Sequence, residues 1–172
     1  VKGDLGQSAA GKTDKNGELT VPEVEQTERH GVYIVGYTDG TFGPSRSMTR
    51  AEAAAIFARL LAEKNGDTIS TAANTKFADI PAHAWYSGYV KYLCNNGITY
   101  GKSKTIFAPN DAITRAEFTT LAVRFFDVYG DGDAEIMEQY KDFNDVSDGY
   151  WAAAYIKAAA KHGWINGYGD GS

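Results

Sequence analysis

The chain has 172 residues, 43% apolar and 23% charged, which is enough for one globular domain or a short array of modules. Its net charge of −5 and its isoelectric point near 5.2 argue against nucleic-acid binding, because no basic stripe offsets the acidic balance. No apolar run approaches the roughly 20 residues that cross a bilayer, so membrane insertion is not expected. A single cysteine, Cys94, excludes an intrachain disulfide, and its helical surroundings predict a small buried apolar side chain.

Residues 1–29 do not resemble the rest of the chain. Within them, Asn16-Gly17 is typical of a tight hairpin turn and predicts a short strand directly after it. We interpret 1–29 as a linker or as the tail of a preceding β module.

From residue 30 onward the chain repeats itself. A shift of 65 residues lays Arg50 on Arg115, and a shift of 66 lays Trp85 on Trp151. Self-similarity at a fixed period is the mark of a repeat array. We divide it into the C-terminal half of a first repeat (30–65), a complete second repeat (66–130) and the N-terminal half of a third (131–172).

Apolar residues at helical spacing predict four helices. They run from Arg50 to about Glu63, from Trp85 to Asn95, from Arg115 to Phe126 and from Trp151 to His162. Helix–loop–helix units of this length cannot bury their apolar faces alone. The predicted fold is therefore mainly α, built from tandem repeats.

The tetrapeptide Thr-Arg-Ala-Glu precedes the first and third helices, at 49–52 and 114–117. Thr followed three residues later by Glu is a capping box, in which each side chain bonds the other residue's backbone N–H. Thr49 with Glu52, and Thr114 with Glu117, are predicted to cap these helices.

The capping box does not explain the arginine, because a cation at the first helical position opposes the helix dipole. Arg50 and Arg115 beside free backbone N–H groups predict an anion site suited to a carboxylate. The alternative is that each arginine only pairs with a nearby acid, such as Asp39 or Asp111.

The order, spacing and repetition of these motifs resemble the S-layer homology (SLH) module of bacterial surface proteins. The matching segments are Phe77-Ala78-Asp79-Ile80 with Trp85, Gly36–Pro44, Met48–Glu52, Ile113–Glu117, Phe143–Val146 with Trp151, and Gly167–Gly171. The resemblance covers residues 30–172.

This resemblance implies a pseudo-threefold helical prism with ligand grooves between neighbouring modules, here with an incomplete third repeat. It implies a non-catalytic anchor without a cofactor, located outside the cell in the cell wall or S-layer. The ligand would be an anionic secondary cell-wall polysaccharide, often ending in pyruvylated N-acetylmannosamine, or modified peptidoglycan. The family arginine that binds the acidic group corresponds to Arg50 and Arg115.

The loops after Gly36 and Gly101 are expected to support these arginines. The second loop departs from the family pattern, since it lacks the Asp-Gly turn and contains two lysines, so its groove is expected to bind differently or to gain affinity for anions. Trp85 and Trp151 are core or groove-wall residues by resemblance, and the core is the favoured interpretation. The predicted ligand-binding residues are Arg50, Arg115, Gly36, Tyr37, Asp39, Gly40, Gly101, Lys102, Lys104, Trp85 and Trp151.

The array is uneven, because the first repeat lacks its tryptophan half and the third lacks its arginine helix. Another Thr-Arg-Ala-Glu is expected shortly after Ser172, so we interpret the C-terminus as an artificial boundary or a cleavage point. Domain swapping or dimerisation of this fragment is a predicted way to complete the prism.

Two other chemistries are weaker interpretations. Asp127, Asp131, Asp133 and Glu138 are spaced like ligands of a calcium loop, but Tyr129 stands where a further oxygen ligand is needed, and a solvated acidic loop is favoured. The three histidines lie in unrelated contexts without a nucleophile or a metal triad, so an enzyme is not predicted.

A protein–protein or S-layer assembly scaffold without glycan binding is the remaining alternative. Replacement of Arg50 or Arg115 by alanine is expected to separate the two functions. An anchor would lose wall binding with little loss of fold, and a scaffold would change little.

Overall fold

The computed structural model describes residues 34–130, 142–168 and 171, together with the backbone of 12–13 and 19–20. The chain forms two compact units, Val1–His30 and Gly31–Ser172. In the first unit, β1 (Lys12–Thr13) pairs antiparallel with β2 (Leu19–Thr20), and Lys12 lies opposite Thr20. The short strand predicted after Asn16-Gly17 is therefore confirmed.

The described part of the second unit contains four helices, each at a predicted position. They are α1 (Arg50–Asn65), α2 (Ser87–Asn95), α3 (Arg115–Tyr129) and α4 (Ala153–Lys161). Helices α2 and α4 begin after Trp85 and Trp151, because both tryptophans lie in the preceding turn. The mainly α fold of tandem helical units is confirmed. None of the helices in the described ranges is long and apolar enough to cross a bilayer.

Both predicted capping boxes are present. Thr49 Oγ1 accepts from the Glu52 N–H at 3.2 Å, and Glu52 Oε2 accepts from the Thr49 N–H at 2.7 Å. At α3 the corresponding distances for Thr114 and Glu117 are 3.2 Å and 3.0 Å. These bonds satisfy helix-end donors that would otherwise lack partners, so both arginine helices begin at fixed residues.

Helix α1 is central to the second unit, since it packs against both α2 and α3. Phe57 of α1 places its ring 5.4 Å from that of Phe118 and 5.1 Å from that of Phe125. Leu61 of α1 and Leu93 of α2 are almost fully buried in the same core. Burial of apolar surface between successive repeats therefore holds the array together.

The segment before α3 runs along the start of α1. Thr49 and Ala112 form an antiparallel bridge, and the Ile113 N–H donates to the Met48 carbonyl at 3.0 Å. In the same segment, the N–H groups of Arg50 and Ala51 donate to the carbonyls of Asp111 at 2.9 Å and Pro109 at 3.0 Å. This pairing brings the N-termini of two arginine helices from different repeats together.

Candidate functional site

A groove of about 390 Å³ opens beside this junction. It is bounded by the start of α1, one side of α3, the loop at 99–102 and the turn before α4. The residues that line it are Arg50, Thr99, Tyr100, Gly101, Lys102, Glu117, Thr120, Leu121, Arg124 and Trp151. The groove is therefore assembled from all three repeats, with Arg50 from the first and Trp151 from the third.

Arg50 is 6% exposed and is tied into the wall of the groove. Its Nε donates to the Phe107 carbonyl at 2.8 Å, and its Nη1 lies 2.8 Å from Glu117 Oε1. Glu117 uses its other oxygen for the α3 cap, so one carboxylate serves both the helix start and the arginine. The predicted alternative partners, Asp39 and Asp111, do not form this ion pair.

Two expectations about Arg50 need correction. The first amides of α1 are not free to bind an anion, because those of Arg50 and Ala51 donate to carbonyls of the neighbouring repeat. The burial and bonds of Arg50 also contradict the expectation that it could be removed with little loss of fold. Arg50 is thus both a wall of the groove and a structural tie between α1 and α3.

Asp79 of the repeated Phe-x-Asp motif holds the segment that meets Arg50. Its carboxylate accepts from the N–H of Phe107 at 3.0 Å and from that of Ala108 at 2.6 Å. Ala108 has a φ of 58°, which is uncommon for a residue with a side chain and needs such support. Asp79 thus holds the turn at Phe107–Ala108, and its position orients the Phe107 carbonyl toward Arg50.

Lys102 brings a second cation to the groove. Its Nζ lies 2.7 Å from Asp111 Oδ2, and this ammonium holds the pKa of Asp111 below its ordinary value. The preceding residue, Gly101, has a φ of +82°, and a Cβ there would lie 2.4 Å from the ring of Phe77. Only glycine allows this turn, so the close approach of the loop backbone places Lys102 at the groove.

Arg124 on α3 is a third cation, which the sequence analysis did not identify. Its guanidinium lies 4.8 Å from the ring of Tyr100 and 4.7 Å from that of Tyr155, and it donates to Tyr155 Oη at 2.9–3.1 Å. Arg59 has the same arrangement on Tyr89, with the guanidinium 4.8 Å from the ring. The arginine recurs at Arg59 and Arg124 and the tyrosine at Tyr89 and Tyr155, at the repeat period, and this recurrence could have revealed the site from the sequence.

Trp85 and Trp151 are both exposed, so the favoured interpretation that they belong to the core is wrong. Trp151 is 56% exposed and lines the groove. Trp85 is 54% exposed, packs edge-on against Tyr86 and Tyr89, and is not among the lining residues. The same repeat position thus presents an indole to solvent in both copies, but only Trp151 lies beside the cations.

The first loop lies apart from this groove. Tyr37 Oη donates to Glu52 Oε1 at 3.0 Å, and Arg46 lies 4.3 Å from the Tyr37 ring. Burial would raise the pKa of Glu52, but hydrogen bonds from Thr49 and Tyr37 outweigh it and lower the pKa. Of the predicted ligand residues of this loop, Tyr37 bonds to Glu52 and Asp39 bonds to Thr41, and none of Gly36, Tyr37, Asp39 and Gly40 lines the groove beside Arg50.

The remaining predicted residues also lie elsewhere. Arg115 is exposed and places its guanidinium 4.9 Å from the ring of Tyr168. Lys104 is exposed and does not line the groove. Arg50 and Arg115 thus occupy equivalent positions but very different surroundings.

Two minor predictions concern a metal and a thiol. Of the calcium candidates only Asp127 is described, and Asp131, Asp133 and Glu138 lie outside the described residues. Cys94 is partly buried against the core, and this burial raises the pKa of its thiol. The thiol therefore stays protonated, as expected for a small apolar core residue.

A family model of the S-layer homology domain matches residues 20–54, 76–119 and 142–172. The chain belongs to the S-layer homology family. The resemblance inferred from the repeated motifs is therefore confirmed.

The chain is also similar to proteins of several bacteria. It is 32% identical to a cellulosome-anchoring protein of Acetivibrio thermocellus, over 95% of this chain and 36% of that protein. It is 36% identical to a surface-layer 125 kDa protein of Lysinibacillus sphaericus, over 78% of this chain and 10% of the relative. An amylopullulanase of Thermoanaerobacterium thermosulfurigenes is 34% identical, over 78% of this chain and 7% of the enzyme.

This SLH chain thus spans about a third or less of the length of these relatives. Its family and its surface-layer relatives confirm the predicted extracellular location at the bacterial cell surface.

Proposed function

We propose that this SLH array is a non-catalytic anchor that binds an acidic glycan of the cell wall in the groove between its repeats. The observation that carries the proposal is the groove itself, which gathers Arg50, Lys102 and Arg124 beside the exposed ring of Trp151. The relatives include an anchoring protein, a surface-layer protein and an enzyme in which the matched part is small. An anchor that accompanies different cargoes accounts for all three.

The charge of the groove favours an anion. Three of its lining side chains are cationic and one, Glu117, is acidic, although the whole chain carries a net charge of −5. Arg50 is buried and paired with Glu117, whereas the partner of Lys102 is the exposed Asp111, so Lys102 and Arg124 are the cations best able to meet a ligand. A local positive site on an acidic protein still attracts an anionic group, because water and salt screen the repulsion from the more distant acidic residues.

The aromatic wall favours a sugar. The indole of Trp151 presents a flat apolar face, against which the C–H face of a sugar ring can pack while its hydroxyl groups bond to polar neighbours. The groove volume of about 390 Å³ lies within the range of ordinary small-ligand sites. An acidic sugar unit, such as a pyruvylated one in a secondary cell-wall polysaccharide or an acidic group of modified peptidoglycan, fits both features.

The test is a binding isotherm of the chain on purified cell-wall sacculi from the bacterium that encodes it, before and after mild acid removal of pyruvyl ketals. Binding that disappears with the ketals supports a pyruvylated polysaccharide. Binding that survives directs the proposal to modified peptidoglycan. No binding at all would overturn the anchor and leave the assembly scaffold.

The repeats provide matched controls for the groove. Arg124→Gln and Trp151→Ala are each expected to weaken sacculus binding by about tenfold or more, because each removes a direct contact. Arg59→Gln and Trp85→Ala remove the equivalent side chains of the preceding repeat, and they are expected to change binding by less than about twofold. Equal losses in both sets would show that the groove beside Arg50 is not the binding site.

A further inference from the structure

The residue after the loop glycine differs among the repeats. It is Tyr37 in the first, Lys102 in the second and Tyr168 in the third. Of these, Lys102 is the one that lines the groove beside Arg50. The second repeat therefore has an ammonium at a position where its neighbours have a phenol.

The partner of this residue changes with it. Arg46 packs on Tyr37 at 4.3 Å, and Asp111, which lies 65 residues after Arg46, forms the 2.7 Å ion pair with Lys102. The same two positions are thus in contact in both repeats. In the first repeat the cation is Arg46 and its partner is Tyr37, whereas in the second the cation is Lys102, at the position of Tyr37, and the acid Asp111 stands at the position of Arg46.

We propose that Asp111 is an internal competitor for the anionic group of the ligand. Its carboxylate holds the ammonium of Lys102 and releases it when an acidic group enters the groove. This inference rests on the proposed function, since it assigns a regulatory contact to the same groove.

The geometry makes such an exchange easy. The side chains of Lys102 and Asp111 are 41% and 55% exposed, so both can be solvated when they separate. Exposed ion pairs contribute little to stability, so little is lost when this one opens. The Asp111 carbonyl remains bonded to the Arg50 N–H at 2.9 Å, which allows the side chain to move while the backbone stays in place.

The exchange also makes the groove selective. An acidic ligand replaces one carboxylate at Lys102 with another, so the ammonium keeps a charged partner throughout. A neutral sugar either leaves the Lys102–Asp111 pair intact and gains no charge contact, or separates the pair without replacing it. Lys102 therefore favours acidic glycans over uncharged ones, while Asp111 lowers the affinity for the acidic ones.

The test is a double-mutant cycle with Lys102→Met, Asp111→Asn and the double variant, measured as binding isotherms on the same sacculi. Asp111→Asn alone is expected to tighten binding by about two- to fivefold, the range expected for removal of an exposed ion pair. In the Lys102→Met background the same change is expected to have no effect, because its target is gone. Thermal melting should show unchanged folding, since both side chains are exposed.

Three results would overturn the inference while the anchor stands. Weaker binding by Asp111→Asn would mean that Asp111 positions Lys102 for the ligand. An equal gain in the Lys102→Met background would mean that only the overall charge matters. An unchanged isotherm would mean that the pair does not oppose binding. Failure of the unmodified chain to bind sacculi would instead remove the proposed function and this inference together.

Discussion

Replacement of Arg50 by alanine is expected to destabilise the fold, and not only to remove a ligand contact. The change would leave Glu117 Oε1 without its cation, although the Glu117 side chain is only 16% exposed. It would also remove the donor to the Phe107 carbonyl, which Arg50 Nε reaches at 2.8 Å. Both acceptors lie at the junction between two repeats, so the damage would affect the contact of α1 with α3.

The size of the effect follows from these two losses. Removal of one partner of a fully buried ion pair costs about 3–5 kcal/mol of stability, and a buried acceptor left without a donor costs about 1–3 kcal/mol. Because Arg50 and Glu117 keep 8% and 16% of their side-chain surface in water, we expect a combined loss of about 3 kcal/mol. For a chain of this size, that corresponds to a fall in melting temperature of about 10 °C.

The assay is urea and thermal unfolding followed by tryptophan fluorescence and far-ultraviolet circular dichroism. Arg115→Ala is the matched control, because Arg115 has the same place in the next capping box but is exposed against Tyr168, and its melting temperature should hardly change. A double variant, Arg50→Met with Glu117→Gln, should recover part of the loss, since no unpaired charge remains. An Arg50→Ala variant that melts with the unmodified chain would refute the structural role of this arginine.

Three further perturbations test local parts of the structure. Gly101→Ala should lower the free energy of unfolding by about 1–3 kcal/mol, because the new Cβ would clash with Phe77 and the φ of +82° would be strained. An unchanged midpoint of urea unfolding would contradict this. Thr114→Ala should cost about 1 kcal/mol by removing the α3 cap, whereas Thr114→Ser should cost much less, and equal effects of the two would argue against the cap. The lowered pKa of Glu52 stabilises the folded state, and this contribution is present above the ordinary glutamate pKa of 4.5 and is lost as the pH falls through the lowered value. Glu52→Gln should therefore flatten the acid limb of a pH–stability curve. A curve parallel to that of the unmodified chain would refute this linkage.

Local structure was predictable because its causes lie close together in the chain. Helices α1 and α3 start where Thr49 and Thr114 can bond a glutamate three residues later, and such contacts depend on adjacent turns alone. The end of α1 was predicted near Glu63 and lies at Asn65, where Gly66 adopts a left-handed φ of 70° that closes the helix. The repeated motifs also carried the resemblance to the family, which the family model confirms.

The composition of the site was less predictable, because its residues come from three repeats. The sequence predicted that the loops at Gly36 and Gly101 both support the arginines, whereas the structure places Arg50 with Gly101 and Lys102 and apart from Gly36. Helical periodicity also could not show that Trp151 is exposed, since an aromatic residue at the start of a helix can pack inward or face a groove. Arg124 was overlooked although its stacked arrangement recurs in the preceding repeat.

The sequence by itself determined the helices, their caps and the repeat, since each depends on short-range bonding or on the period of the chain, and its repeated motifs carried the resemblance to the family. Only the tertiary structure decided that Arg50 pairs with Glu117, that Asp111 pairs with Lys102, and that one groove collects three cations and an indole. The physical reason is that apolar packing between repeats sets which polar side chains meet, and residues far apart in sequence become neighbours only after that packing has formed.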